Sequence, residues 1–134
     1  MAERPIVIAV VDDEEPVLRA LHRLLRSAGL QVQTFNSGQA FLCALADSEF
    51  DCVVLDLHMP VVDGLEVLER LASRQIKPGV VVITGYDTPE TVRRVMESGA
   101  AAYLRKPVDG PALLNAIASV VGRMSSSTPL RPLP

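Results

Sequence analysis

Cysteine is scarce, positive charge is not in excess, and no apolar run is long enough to cross a bilayer. The two cysteines, Cys43 and Cys52, stand in apolar stretches without metal-ligand spacing. They read as small core residues of a reduced compartment rather than as a disulfide. Lys and Arg number 13 against 16 Asp and Glu, a formal net charge of -3. That balance excludes a surface built throughout to neutralise nucleic-acid phosphates, so DNA binding is expected only through another polypeptide segment. The first apolar run, IVIAVV, is too short for a membrane span, and no small-residue cleavage site follows it. Neither secretion nor a membrane anchor is expected, and the cytoplasm is the expected address. Internal repeats and long low-complexity tracts are also missing.

What remains is an ordinary globular composition, 49% hydrophobic and 22% charged over 134 residues. One domain with its own core is expected. Strand-like runs at Ile6 to Val11, Leu30 to Phe35, Cys52 to Leu55, Val80 to Thr84 and Ala101 to Leu104 alternate with segments of helical period. Three of the runs are almost wholly apolar, as strands buried on both faces must be. The helical segments comprise Val17 to Ala28, stopped by Gly29, then Gly38 to Ala46, Leu65 to Ala72, Thr88 to Ser98 and Pro111 to Val121. Strand and helix in alternation, with right-handed crossovers, predict an α/β fold with five parallel strands in one sheet and helices on both faces. Residues 1–122 form the expected domain and 123–134 a Ser/Pro-rich tail or linker.

In such sheets ligands bind beyond the carboxyl ends of the strands, where the strand order reverses. Polar residues stand at those ends. Asp12 and Asp13 follow five apolar residues, Asp56 ends CVVLD, Thr84 ends VVVIT, and Lys106 follows the fifth strand and precedes Pro107. Each has a bland reading on its own: Asp56 as a cap for nearby amides, Thr84 as a β-branched strand end, Lys106 as a solvated loop residue. Glu14 and Glu15 read as acids of a helix first turn. Together, three carboxylates, a hydroxyl and an amine suit a phosphoryl group and a divalent cation. Like charges at one edge raise a carboxylate pKa unless a cation sits among them, and hard oxygen donors in small number suit Mg2+. A carboxylate beside a metal and an ammonium is a good nucleophile for phosphorus, which makes Asp56 the expected phosphoacceptor.

The segments VVDDEEPVLRALHRLL, VVLDLHMPVVDGLEVL, VVVITGYDT and AAYLRKPVD resemble the receiver domain of bacterial two-component response regulators, from about Ile6 to Val121. The loops, TGYDTPETVRRVMESGAAAYLRKP above all, are similar to the FixJ type, whose receivers often precede a helix-turn-helix DNA-binding domain. The resemblance implies a flavodoxin-like (βα)5 fold and phosphoryl transfer from a sensor histidine kinase or phosphotransfer protein to Asp56. It implies Mg2+, with Mn2+ as an alternative, on Asp13, Asp56 and the backbone carbonyl of His58, with Asp12 acting mainly through water. Lys106 and Thr84 would each engage a phosphoryl oxygen, and Tyr103 would rotate into space that Thr84 vacates. The His58 ring is expected to shape the entrance, and together with Tyr86 to slow self-dephosphorylation.

By the same resemblance the chain assists its own phosphorylation without turning over a separate substrate. Its output would be transcription regulation through a DNA-binding domain not in this chain, with a phosphorylation-dependent homodimer through the last strand and last two helices. A single-domain receiver acting by docking or phosphorelay is the alternative. Less favoured are an Asp-nucleophile phosphatase, which would want an aspartate where His58 stands, and a nucleotide or flavin module, which would want a glycine-rich loop where DDEEP stands. A receiver that no longer accepts phosphate is disfavoured by Asp56, Thr84 and Lys106 themselves.

Overall fold

The computed structural model describes residues 5–75 and 77–124. Five strands, β1 (Val7–Val11), β2 (Gln31–Phe35), β3 (Cys52–Asp56), β4 (Gly79–Thr84) and β5 (Ala102–Arg105), alternate with five helices. The helices are α1 (Glu15–Ser27), α2 (Gly38–Leu45), α3 (Gly64–Ala72), α4 (Pro89–Glu97) and α5 (Gly110–Met124). All neighbouring strands pair in parallel, in the order β2-β1-β3-β4-β5. The three runs without polar interruption became the central strands β1, β3 and β4, whose residues are almost all buried. QVQTF, with its polar alternation, took the edge as β2.

Side chains of the sheet split by strand alternation into two cores. One face packs Phe41 and Leu45 of α2, Val67, Leu68 and Leu71 of α3, and Val95 of α4. The other packs Leu18, Leu21 and Leu25 of α1 against Leu113, Ile117 and Val120 of α5. Each helix turns its apolar stripe toward the sheet, and the strand order with right-handed crossovers decides which face it covers.

Element ends differ from the apolar pattern by one to three residues, for local reasons. Helix α3 begins at Gly64 rather than Leu65 because Asp63 accepts the Glu66 amide at 2.9 Å as its cap. Helix α5 begins at Gly110, where Asp109 accepts the Ala112 amide at 2.9 Å. Strand β3 includes Asp56, which pairs with Ile83 in the backbone ladder despite its polar side chain. Gly29, expected to stop α1, has φ +88 just beyond that helix. Helix α5 reaches Met124, past the expected domain boundary at residue 122, while segment 125–134 of the expected tail lies outside the described residues.

Candidate phosphoryl and metal site

The order β2-β1-β3 places the reversal between β1 and β3, so the loops after these two strands diverge to opposite faces and leave a cleft between them. Asp12 and Asp13 leave β1 at this cleft, and Asp56 closes β3 beside them. One carboxylate oxygen from each of the three lies within 4.8 Å of the others. Asp12 and Asp56 are buried, whereas Asp13 is exposed at the mouth. Asp12 is fixed at both ends: its amide donates to the Phe35 carbonyl at 3.0 Å, and its Oδ1 accepts the Glu14 amide at 2.8 Å.

Lys106 follows β5, and its amide donates to the Thr84 carbonyl at 2.8 Å. The Lys106-Pro107 peptide bond is cis. The ammonium reaches the cluster, with Nζ 2.8 Å from Asp12 Oδ2, 2.9 Å from Glu14 Oε1 and 3.4 Å from Asp56 Oδ1. The contact with Asp12 Oδ2 is a close ion pair without good hydrogen-bond alignment. Burial and then the Asp12 charge push the Asp56 carboxyl up to about 6, although Lys106 and the His58 amide pull it down. Burial works against the Lys106 ammonium, but Asp12, Glu14 and Asp56 outweigh it and hold that group above the ordinary lysine range. One cation thus faces more negative charge than it can offset. The donor set, three carboxylates with one open to solvent, fits a hydrated divalent cation such as Mg2+.

Thr84 sits at the end of β4 with no exposure. Its hydroxyl donates to the Tyr86 carbonyl at 2.7 Å and accepts the Tyr86 amide at 3.2 Å, a local turn in which a hydroxyl satisfies nearby backbone. The same carbonyl accepts from His58 Nε2 at 3.0 Å, so His58 ties the loop after β3 to the loop after β4. The His58 and Tyr86 rings flank this mouth with centroids 6.4 Å apart. Tyr103 packs against the core shared by α2, α3 and α4. Its hydroxyl is buried and has no hydrogen-bond partner among the described residues.

All of Asp12, Asp13, Asp56, Thr84 and Lys106 therefore converge on one sheet edge, with His58 at the rim and Tyr103 inside. Two contributors were not read from sequence. Glu14 holds Lys106 rather than serving only as a first-turn acid, and its N-cap position without a cap bond becomes visible only in three dimensions. Gly64 lies against the Asp56-Leu57 backbone, where any Cβ would collide with the Asp56 carbonyl. An Asp-Gly pair such as Asp63-Gly64 is a turn signal in a sequence, but it does not announce this contact.

The fold accords with comparisons to known proteins. Residues 8–118 match the model of the response regulator receiver domain. The transcriptional regulatory protein FixJ of Azorhizobium caulinodans is 37% identical over 116 residues, covering 87% of this chain and 55% of that protein. The sensory/regulatory protein RpfC of Xanthomonas campestris pv. campestris is 38% identical over 121 residues, 87% of this chain and 17% of that protein. The chain thus spans about half the length of the former and a small part of the latter. Among solved structures, FixJ-N superposes with a TM-score of 0.82 at 30% identity, covering 98% of this chain and all of that one. The chain thus belongs to the response regulator receiver domain family of two-component signalling.

Proposed function

We propose that this receiver accepts a phosphoryl group on Asp56 from a histidine kinase or phosphotransfer protein, and that acceptance shifts the face it offers to a partner. The observation that carries the reading is the Asp56 carboxylate beside both the Lys106 ammonium, at 3.4 Å, and the three-carboxylate cluster. Asp12, Asp13 and Asp56, with the His58 backbone carbonyl, would hold Mg2+, or Mn2+ in its place. Bound there, the ion would offset the charge of the incoming phosphoryl oxygens.

The chain's own groups supply the rest. Asp56 attacks phosphorus in line; a P–O bond forms as the donor's P–N bond breaks, and the electron pair leaves with the donor imidazole. Lys106 neutralises one phosphoryl oxygen. Thr84 gives up the Tyr86 carbonyl and donates to another, while His58 keeps that carbonyl satisfied. The Tyr103 hydroxyl, buried without a partner, gains one if it turns toward the vacated space. The Asp-nucleophile phosphatase reading has no support from the residue at position 58, and no separate substrate turnover is proposed.

The face of α4, β5 and α5 is the proposed output surface. It carries the Arg105–Asp87 ion pair at 3.4 Å and exposed Met96. Similarity to longer transcriptional regulators supports an output within a longer cytoplasmic protein, through homodimerisation of this face and a DNA-binding domain elsewhere. No helix among the described residues is long and apolar enough to cross a membrane. The test is incubation with Mg2+ and beryllofluoride, a phosphoryl mimic, followed by sedimentation. Mg2+-dependent binding with dimerisation, lost in Asp56→Asn, is expected. Binding without dimerisation would move the output to single-domain docking or relay, and no binding would remove the phosphoacceptor role.

A further inference from the structure

Three carboxylates surround the Lys106 ammonium, and one of them belongs to neither the acid cluster nor the reacting group. Asp12 and Asp56 are buried members of the cluster. Glu14 lies outside it, its side chain 60% exposed, yet its Oε1 is 2.9 Å from Nζ, nearer than Asp56 Oδ1 at 3.4 Å.

The position of Glu14 gives a second observation. It is the N-cap of α1, with extended backbone at φ -95 and ψ 112, and its side chain makes no cap bond. Ser37, Asp63 and Thr88 do cap α2, α3 and α4 with their side chains. Glutamate is a poor cap, so residue 14 forgoes a local stabilisation that aspartate or serine would supply. Its carboxylate is spent on a lysine 92 residues away. A conflict between local preference and observed placement marks a site under another demand.

The Lys106 ammonium donates a hydrogen bond to Glu14 and forms ion pairs with Asp12 and Asp56. A phosphoryl oxygen on Asp56 would compete for the same cation. Asp12 faces the metal site, and Asp56 would itself carry the phosphoryl group, so Glu14 is the acid left to be displaced. We propose that Glu14 is a positioning residue for Lys106, holding its ammonium at the outer edge of the site and competing with the phosphoryl group for it. The inference rests on Asp56 as phosphoacceptor. It adds a control on how tightly the phosphoryl group is held.

The test compares Glu14→Gln with Glu15→Gln in the full chain at saturating Mg2+, titrating beryllofluoride by calorimetry. Both variants remove one negative charge from adjacent exposed positions, but only Glu14 touches Lys106. Glu14→Gln should bind beryllofluoride roughly two- to fivefold more tightly than Glu15→Gln, the range set by a half-exposed ion pair. The two should bind Mg2+ alike, which a general loss of structure at the site would not allow. Lys106 and Lys77 are the only lysines of the chain, so the Lys106 side-chain resonances can be followed directly by NMR. They should move in Glu14→Gln before beryllofluoride is added, and stay in place in Glu15→Gln. Equal or weaker beryllofluoride binding by Glu14→Gln overturns the proposal while leaving Asp56 as acceptor, provided the parent binds. A parent that fails to bind removes both.

Discussion

At Asp56, the proposed acceptor, burial of the carboxylate costs stability that the proposed chemistry requires. Its carboxyl is raised from 3.8 to about 6, so the folded state binds this proton more tightly than the unfolded chain does. Below about pH 4 both states carry the proton and there is no penalty. Between pH 4 and 6 the native state is progressively penalised, and above 6 the cost stays at about 2 to 3 kcal/mol without metal. Asp56→Asn should therefore be more stable than the parent by that amount at pH 7, with the gap closing toward pH 4 and shrinking when Mg2+ is added. Urea denaturation at both pH values checks this; a gap independent of pH would contradict it. Tyr103→Phe should be neutral to about 1 kcal/mol more stable, because it removes a buried hydroxyl that lacks a partner. A thermal midpoint below the parent's would show that the hydroxyl is satisfied. Asp56, Thr84 and the Asp12-Asp13 pair were legible because each interrupts or ends an apolar run. Glu14 was not, since acids at a helix start are common for reasons unconnected with lysine, and the Thr84 bond to Tyr86 was hidden because its partner is backbone.

At the scale of the element, the loop from β3 to α3 builds the site, and two of its residues work in opposite directions. Gly64 allows α3 to start against the end of β3: an added Cβ would collide with the Asp56 carbonyl and come within 2.7 Å of Leu57 Cα. Both obstacles are backbone and cannot swing away. Gly64→Ala should cost about 1 to 3 kcal/mol and weaken Mg2+ binding, since the carbonyl that moves adjoins the acid cluster. Unchanged Mg2+ affinity by calorimetry would break that link. Val61, by contrast, has φ 69 and is 94% exposed, a β-branched residue in left-handed conformation with little packing to lose. Val61→Gly should gain about 0.5 to 1 kcal/mol, measured by the same denaturation. Periodicity located the helices because their apolar faces recur every three or four residues. It missed the starts of α1, α3, α4 and α5 by one or two residues, since caps such as Asp63 and Asp109 lie outside the apolar pattern, and helix α5 continues past it. Nothing in MPVVDG announces a valine at positive φ, as the loop is set by the strand and helix it joins.

On the whole-molecule scale, the sheet was legible because buried parallel strands need uninterrupted apolar runs, and β1, β3 and β4 have them. The strand order did not follow from the runs themselves; handedness and the polar edge of β2 constrain it, and the resemblance to receivers supplied the remainder. The proposed switch is a property of the whole molecule too. Tyr103 and Val95 of α4 belong to the same core, through which a change at Thr84 would reach the α4 and β5 face. Its size depends on how differently a partner binds the two states. None of this follows unless Asp56 takes the phosphoryl group. The most direct measurement is exposure to a small-molecule phosphodonor with Mg2+, then mass spectrometry of the intact chain and of peptides trapped by hydride reduction of the acyl phosphate. One phosphoryl group per chain is expected, mapped to Asp56, absent in Asp56→Asn and absent when the cation is chelated. Modification at another residue, or equal modification without the cation, would contradict that expectation.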